Sequence, residues 1–222
     1  MSAHFSQELD ELKKKLVIMA SNAENAVSRA IKAMVDRDDD LARRVKEDDS
    51  ILDQFEKEID EVSINLLSKA PLASELRLIT VAMKISHDLE RVGDEATTIS
   101  RRAIELNKEP SLHTEVDIPG MAHLGLQMLK DAIDAFVRGD SAKARAVLPR
   151  DKTIDSLNKQ LHRELASYMV ERPSTISRCL HLMTISKSLE RIGDHATNIA
   201  EEAVYLLEGQ DIRHDPKAKA AG

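Results

Sequence analysis

Four pairs of carboxylates are the residues of this sequence whose types and spacing are suited to chemistry. In each pair the two acids lie one helical turn apart: Asp49 with Asp53, Glu90 with Asp94, Asp151 with Asp155, and Glu190 with Asp194. Like charges at this spacing cost a helix about 0.2–0.5 kcal/mol. A bound cation would offset that repulsion, and carboxylate oxygens suit hard or borderline ions such as Mg²⁺, Mn²⁺ or iron.

The pairs recur because the chain is an internal duplication. Residues 83–106 and 183–206 match at a constant offset of 100, with 13 identities in 24 positions. The first two predicted helices match at an offset of 102, which aligns Asp49 and Asp53 with Asp151 and Asp155. Internal repeats take precedence over other patterns. Each half therefore carries two acid pairs, and we expect them to face one outer groove between neighbouring helices.

The acid pairs lie away from the predicted core-facing seam of their helices. At 100° per residue, Glu90 and Asp94 point roughly 140° and 180° from the seam centre near Val92 and Ala96. The sequence thus predicts that the acids are exposed, together with Arg91, Arg191, Thr97 and Thr197. Gly93 and Gly193 lie between the acids, where a missing side chain would let an ion or the neighbouring helix approach.

Apolar residues spaced alternately by three and four predict the helices that must position these acids. The predicted fold class is all-α, with two tandem three-helix bundles and six helices in all. In the first half we expect one helix over about 6–35, a second that follows the break at 37–40 and ends near 69, and a third over about 74–106. A proline at position 149 should kink the fifth helix or mark its true start. The predicted domains are 1–106 and 119–208, with a linker at 107–118 and a disordered tail at 209–222.

Composition excludes several classes of protein. The net charge is −7 and only five residues are aromatic, so we expect no nucleic-acid partner. No apolar run is long enough for membrane insertion, and the first residues lack a signal-peptide pattern, so we expect a cytoplasmic protein. We expect the single cysteine, Cys179, to be buried and to pack as a small hydrophobic residue.

An enzyme is not expected. No histidine follows a glutamate by three residues, as the bundle di-iron sites require, and the acids point outward. A phosphate-binding glycine loop and a nucleophile elbow are also missing from the sequence.

The segment Leu-Glu-Arg-Val/Ile-Gly-Asp-x-Ala-Thr-x-Ile, at residues 89–99 and again at 189–199, resembles the PhoU family. The resemblance extends from about Ser6 to Glu208. It implies two similar three-helix bundles whose acid motifs bind multinuclear metal clusters on the surface. All eight acids named above match those motifs. Because the metal is iron in some members and another divalent ion in others, iron, manganese, magnesium and zinc are all candidate cofactors.

The resemblance also implies a function. PhoU-like proteins are not enzymes but accessory, negative regulators of the phosphate-starvation response. They link a Pst-type phosphate ABC transporter, through its ATPase, to a PhoR-type sensor histidine kinase. The resemblance further implies a homodimer that lies in the cytoplasm or peripherally at the membrane.

Two alternatives for the function remain open: an accessory protein of a different phosphate carrier, or a metal-storage protein. Direct phosphate binding is a further possibility, with Arg91, Arg101, Arg102 and Arg191 as candidates. We favour instead that these arginines pair with nearby acids, for example Arg91 with Glu95.

The two metal sites need not be equal. Glu56 and Asp60 extend the acidic stripe of the first half, but Asn158 and His162 stand at the aligned positions of the second. His87 and His195 lie near the acid pairs, and neither aligns with a histidine in the other half. We therefore expect both histidines to be solvated rather than to act as extra ligands.

Overall fold

The structure is a computed structural model that describes residues 3–70, 72–112 and 116–213. No strand occurs within these ranges. The helices are α1 (Ala3–Asp36), α2 (Asp39–Glu47), α3 (Asp49–Leu67), α4 (Ala73–Asn107), α5 (Ile118–Arg138), α6 (Ser141–Val147), α7 (Asp151–Glu171) and α8 (Ile176–Glu208). Short 3₁₀ turns at Leu148–Arg150 and Pro173–Thr175 precede α7 and α8. The all-α prediction is confirmed, with three helical segments in each half.

The second segment of each half is two α-helices, where the sequence analysis predicted one. In the first half the break falls at Asp48, which closes α2 and opens α3. In the second half Pro149 lies in the 3₁₀ turn and α7 begins at Asp151, which is the second of the two outcomes expected from the proline. Both breaks place one of the paired acids, Asp49 or Asp151, in the first turn of a new helix, where the helix dipole stabilises negative charge.

The turn after the first helix is built alike in both halves. Gly139 has a φ of 67°, and the aligned Arg37 adopts a φ of 56°. This left-handed conformation is costly for a residue with a side chain. The guanidinium of Arg37 donates to the carbonyl oxygens of Asn107 (2.7 Å) and Glu109 (2.6 Å), which ties this turn to the end of α4.

The two third segments, α4 and α8, lie against each other in the middle of the molecule. Lys84 contacts Glu202 (Nζ to Oε1, 2.9 Å), whereas Glu95 further along α4 contacts the earlier Arg191 (Oε1 to Nη1, 3.1 Å). The two helices are therefore antiparallel. Their predicted seams are buried, and one continuous apolar core joins the halves.

Packing continues past the end of α8. Ile212 is buried in the core, and Arg213 Nη1 lies 3.4 Å from Glu202 Oε1. Residues 214–222 of the predicted tail lie outside the described residues, as does Pro71. Within the described ranges, no helix combines the length and the apolar composition that crossing a bilayer requires.

Both halves have an ion pair between the first helix and the break that divides the second segment, but the acid and the base exchange positions between the halves. Arg29 on α1 donates to Asp48 (Nη1 to Oδ2, 2.7 Å). At the aligned positions of the second half, Arg150 donates to Asp131 on α5 over the same distance. Burial raises the pKa of Asp131, but hydrogen bonds from Arg150 and Lys143 outweigh this and lower it. Charge complementarity, rather than a particular residue at either end, fixes the contact.

We predict that the first pair tolerates the same reversal. The single variant Arg29→Asp puts two acids together and should lower the free energy of unfolding by on the order of 1 kcal/mol. Adding Asp48→Arg should restore it to within about 0.5 kcal/mol of the wild type. Urea unfolding followed by circular dichroism measures both. A double variant as unstable as the single one would contradict the interpretation.

Candidate metal centres

The first quartet consists of Asp49 and Asp53 on α3 and Glu90 and Asp94 on α4. Glycine at position 93 allows the two helices to approach closely, because an added Cβ would lie 2.3 Å from Leu52 Cδ1. The same Cβ would lie 3.5 Å from Asp49 Oδ1, so the close approach brings the α3 acid to the α4 acids. Of the two roles considered for this glycine, the structure shows approach of the neighbouring helix.

The second quartet consists of Asp151 and Asp155 on α7 and Glu190 and Asp194 on α8. A Cβ at Gly193 would lie 2.8 Å from Cγ2 of Ile154, so the helices approach here in the same way. Carboxylate oxygens of Asp155, Glu190 and Asp194 lie within 4.8 Å of one another. The structure thus brings three of the four predicted acids of this half within reach of one ion, and the charge of the fourth, Asp151, acts on Asp194.

The electrostatics of both quartets show carboxylates that repel one another. Burial raises the pKa of Asp49, and the charges of Asp94 and Asp53 raise it further. Burial and the charge of Asp94 likewise raise the pKa of Glu90. In the second quartet the pKa of Asp194 rises to about 6, chiefly through burial and then through Glu190 and Asp151. A cation between these oxygens would relieve the repulsion.

The side-chain cations nearby neutralise the quartets only in part. Arg91 donates to Asp94 (Nη1 to Oδ2, 2.9 Å), and its Nε lies 3.3 Å from Glu90 Oε2. The predicted pairing of Arg91 with Glu95 is wrong, because Glu95 faces the other half and binds Arg191. In the second quartet Lys187 binds Glu190.

Several positions predicted to be exposed are buried. Only 9% of the surface of Glu190 is accessible, and the corresponding values for Thr97 and Thr197 are 9% and 6%. The prediction used one seam per helix, whereas α4 and α8 each contact more than one neighbour. Thr97 and Thr197 lie against the second segment of their own half, next to Asp49 and Asp151. The buried Thr197 hydroxyl donates to Asp151 Oδ1 (3.3 Å) and so helps to position an acid of the second quartet.

The two histidines near the acids are both paired. His195 is only 20% exposed in its side chain and hydrogen-bonds Asp88 (Nδ1 to Oδ1, 2.8 Å), so its predicted solvated role is wrong. His87 is exposed, as predicted, but its Nδ1 lies 3.0 Å from Glu56 Oε1. Sequence reasoning missed Asp88, because its partners His195 and Asn198 lie in the other half and share no periodicity with it.

The donor sets fit a hard or borderline cation. Each quartet offers carboxylate oxygens from two helices, and burial and neighbouring carboxylates raise the pKa values of Asp49, Glu90 and Asp194. Oxygen donors of this kind suit Mg²⁺, Mn²⁺ and iron. Of the four candidate arginines, Arg101 is exposed near the first quartet, where its charge acts to lower the pKa of Asp49.

Known proteins resemble this chain in both halves. A sequence profile of the PhoU domain matches residues 16–103 and 118–203, which include all eight quartet acids. The chain is 44% identical over 221 residues to the phosphate-specific transport system accessory protein PhoU homolog of Pseudomonas putida, covering 96% of this chain and 84% of that protein. It is 37% identical over 215 residues to the accessory protein PhoU of Escherichia coli, covering 96% and 89%.

Solved structures share the fold. The crystal structure of PhoU from Pseudomonas aeruginosa matches with a TM-score of 0.90 and 41% identity, over 93% of this chain and all of that one (100%). The phosphate transport system regulatory protein PhoU from Streptococcus pneumoniae matches with a TM-score of 0.88 and 29% identity, over 93% and 98%.

We predict that removing one repelling acid stabilises the metal-free protein. The pKa of Asp194 is about 6 when folded, against an ordinary value of 3.8, so the folded state binds this proton more tightly. Its contribution to stability therefore falls as the pH rises from about 4 through 6. At pH 7 with chelator, Asp194→Asn should unfold at a higher urea concentration than the wild type. Solvent screening keeps the gain to about 1 kcal/mol or less.

The stability gained by Asp194→Asn should shrink towards zero below about pH 4, where Asp194 of the wild type is protonated in both the folded and the unfolded state. The control Glu61→Gln changes an exposed acid of α3 and should show no such dependence on pH. If Asp194→Asn is no more stable than the wild type at pH 7, the carboxylates do not repel as described.

Proposed function

This chain belongs to the PhoU family, and from that premise we propose that it is an accessory protein of phosphate-specific transport. In this proposal it represses the phosphate-starvation response when phosphate is ample. It does so as a cytoplasmic homodimer between a Pst-type ABC transporter and a PhoR-type sensor histidine kinase. The names of its relatives support the first part, since they are phosphate-specific transport system accessory proteins. The similar Streptococcus pneumoniae structure is named as a regulatory protein.

The observation that carries the proposal is the repetition of one acidic groove in both halves. Each groove joins two carboxylates from the second segment to two from the third, around a glycine that allows close approach. We propose that the eight acids hold divalent or ferric ions, with iron, manganese, magnesium and zinc as candidates. A bound ion would supply positive charge to the groove.

The groove also suits protein binding better than catalysis. Its carboxylates form a patch of negative charge that would repel an acidic partner when uncompensated. The exposed side chain of Arg91 lies at the edge of the first patch and interacts with both Glu90 and Asp94. Neutralised carboxylates and this arginine would together form a polar docking surface. We therefore propose a regulatory role without catalysis.

Two other functions fit some of the same observations. A protein that stores metal would also need clustered carboxylates in an accessible groove, and Asp53 is exposed. An accessory protein of a different phosphate carrier would keep the fold and change only the partner. Deletion of the gene, described below, separates metal storage from the main proposal.

Metal binding by the two quartets can be measured directly. Protein purified without chelator and dialysed against excess Mn²⁺, Zn²⁺ or ferric ion should retain at least one ion in each half. Asp94→Ala should lose ions of the first half and Asp194→Ala those of the second, while Glu61→Ala should lose none. Plasma mass spectrometry counts the ions. Wild-type protein that binds no ion even in excess would overturn the metal proposal.

The proposed regulation of the phosphate-starvation response can be tested in cells. Cells lacking the protein should express phosphate-starvation genes in high phosphate, and the wild-type gene should restore repression. A gene that carries both Asp94→Ala and Asp194→Ala should restore it poorly at equal protein levels. A promoter reporter and labelled phosphate uptake provide the measurements. Unchanged expression and uptake after deletion would contradict regulation and favour metal storage.

A further inference from the structure

A second cluster of metal-ligating side chains adjoins the first quartet. It consists of Glu56 on α3 with His87 and Glu90 on α4, whose ligand atoms all lie within 4.8 Å of one another. His87 Nδ1 lies 3.0 Å from Glu56 Oε1. Glu56 and His87 belong to none of the four acid pairs, so this cluster differs from the quartet in two residues and adds a nitrogen donor.

The cluster is accessible from a cleft between the two halves. Glu56 and His87 line this cleft of about 600 Å³. Its wall also carries the acids Asp60, Asp88 and Glu202 and the cations Lys84 and Arg213. The side chain of His87 is 57% exposed, so a ring nitrogen can be reached from solvent. An ion could therefore enter without separating packed helices.

The chain itself neutralises Glu90 only in part. Its buried Oε2 accepts no hydrogen bond, and the cation beside it, Arg91 with Nε at 3.3 Å, is shared with Asp94. Hydrogen bonds and nearby cations both stabilise a buried carboxylate oxygen. A metal ion held by Glu90 and its neighbours would add the positive charge that Arg91 divides between two acids.

The second half gives an independent indication that this position holds positive charge. Lys187 stands where the first half has His87, and its ammonium binds Glu190, the counterpart of Glu90. Asn158 stands where the first half has Glu56, and it accepts a hydrogen bond from Ser186 (2.5 Å) instead. The ammonium group of Lys187 therefore pairs with Glu190 in the second half, whereas the first half has an imidazole and an extra carboxylate around Glu90.

We infer that Glu56, His87 and Glu90 bind a divalent transition-metal ion, and that the second half has no equivalent site among its described residues. One imidazole nitrogen with two carboxylates suits Zn²⁺, Fe²⁺ or Mn²⁺ better than Ca²⁺ or Mg²⁺, which prefer oxygen donors alone. The inference rests on the proposed function only in that Glu90 belongs to both sites. It makes the two halves unequal in the metals they bind.

The test replaces His87 by the residue that the other half carries. Zn²⁺ titration of the full chain should show one fewer ion, or at least about 100-fold weaker binding of one ion, in His87→Lys than in the wild type. Glu56→Gln, which keeps the size of the side chain, should have the same effect. The control His123→Lys alters an exposed histidine of α5 and should change nothing.

Histidine NMR spectra with Zn²⁺ and Co²⁺ provide a second readout that a change in folding would not reproduce. Zn²⁺ should shift, and Co²⁺ should strongly perturb, one set of imidazole signals that His87→Lys removes. Unshifted His87 signals, or equal zinc binding by the wild type and His87→Lys, would overturn the inference. Loss of ions in Asp94→Ala with His87 signals still shifted supports two separate sites. Shifted His87 signals in a protein whose quartets bind nothing would overturn only the quartet proposal.

Discussion

Close approach of two helices at a glycine is the constraint on which the rest of this structure depends. Gly93 and Gly193 each accept an apolar side chain of the neighbouring helix where a Cβ would collide. That contact brings carboxylates of two helices close enough to act on one another, and burial together with these charges raises the pKa values of Asp49, Glu90 and Asp194. The packing is apolar and favourable, but the groove it creates is electrostatically costly without a cation. Fold and site are thus two results of one contact.

The duplicated halves show which parts of this arrangement can change. The contact between the first helix and the segment break survives with its charges reversed, as Arg29 with Asp48 and Asp131 with Arg150. The glycine and all four acids of the quartet are unchanged in type. Next to the quartets, however, Lys187 stands in the second half at the position of His87 in the first. The shared geometry therefore supports two grooves of different charge and different donor chemistry.

Much of the fold and of the candidate site was predictable from the sequence, because both repeat. Apolar periodicity gave the helices, and the two offsets paired the acids. The division of the second segment at Asp48 was not predictable, since no proline or glycine marks it. The contacts of Asp88 with His195 and of Glu95 with Arg191 were missed for another reason. They join two halves, whereas periodicity describes only the face a helix turns to its own bundle.

We propose that each half binds metal between its second and third segments, and anomalous diffraction from crystals of the wild-type protein equilibrated with Mn²⁺ would locate the ions. We expect a peak between α3 and α4, within coordination distance of Asp49 or Asp94 oxygens. We expect another between α7 and α8, next to Asp155, Glu190 or Asp194. Peaks confined to other surfaces, or no peaks at saturating Mn²⁺, would show that the quartets do not bind metal.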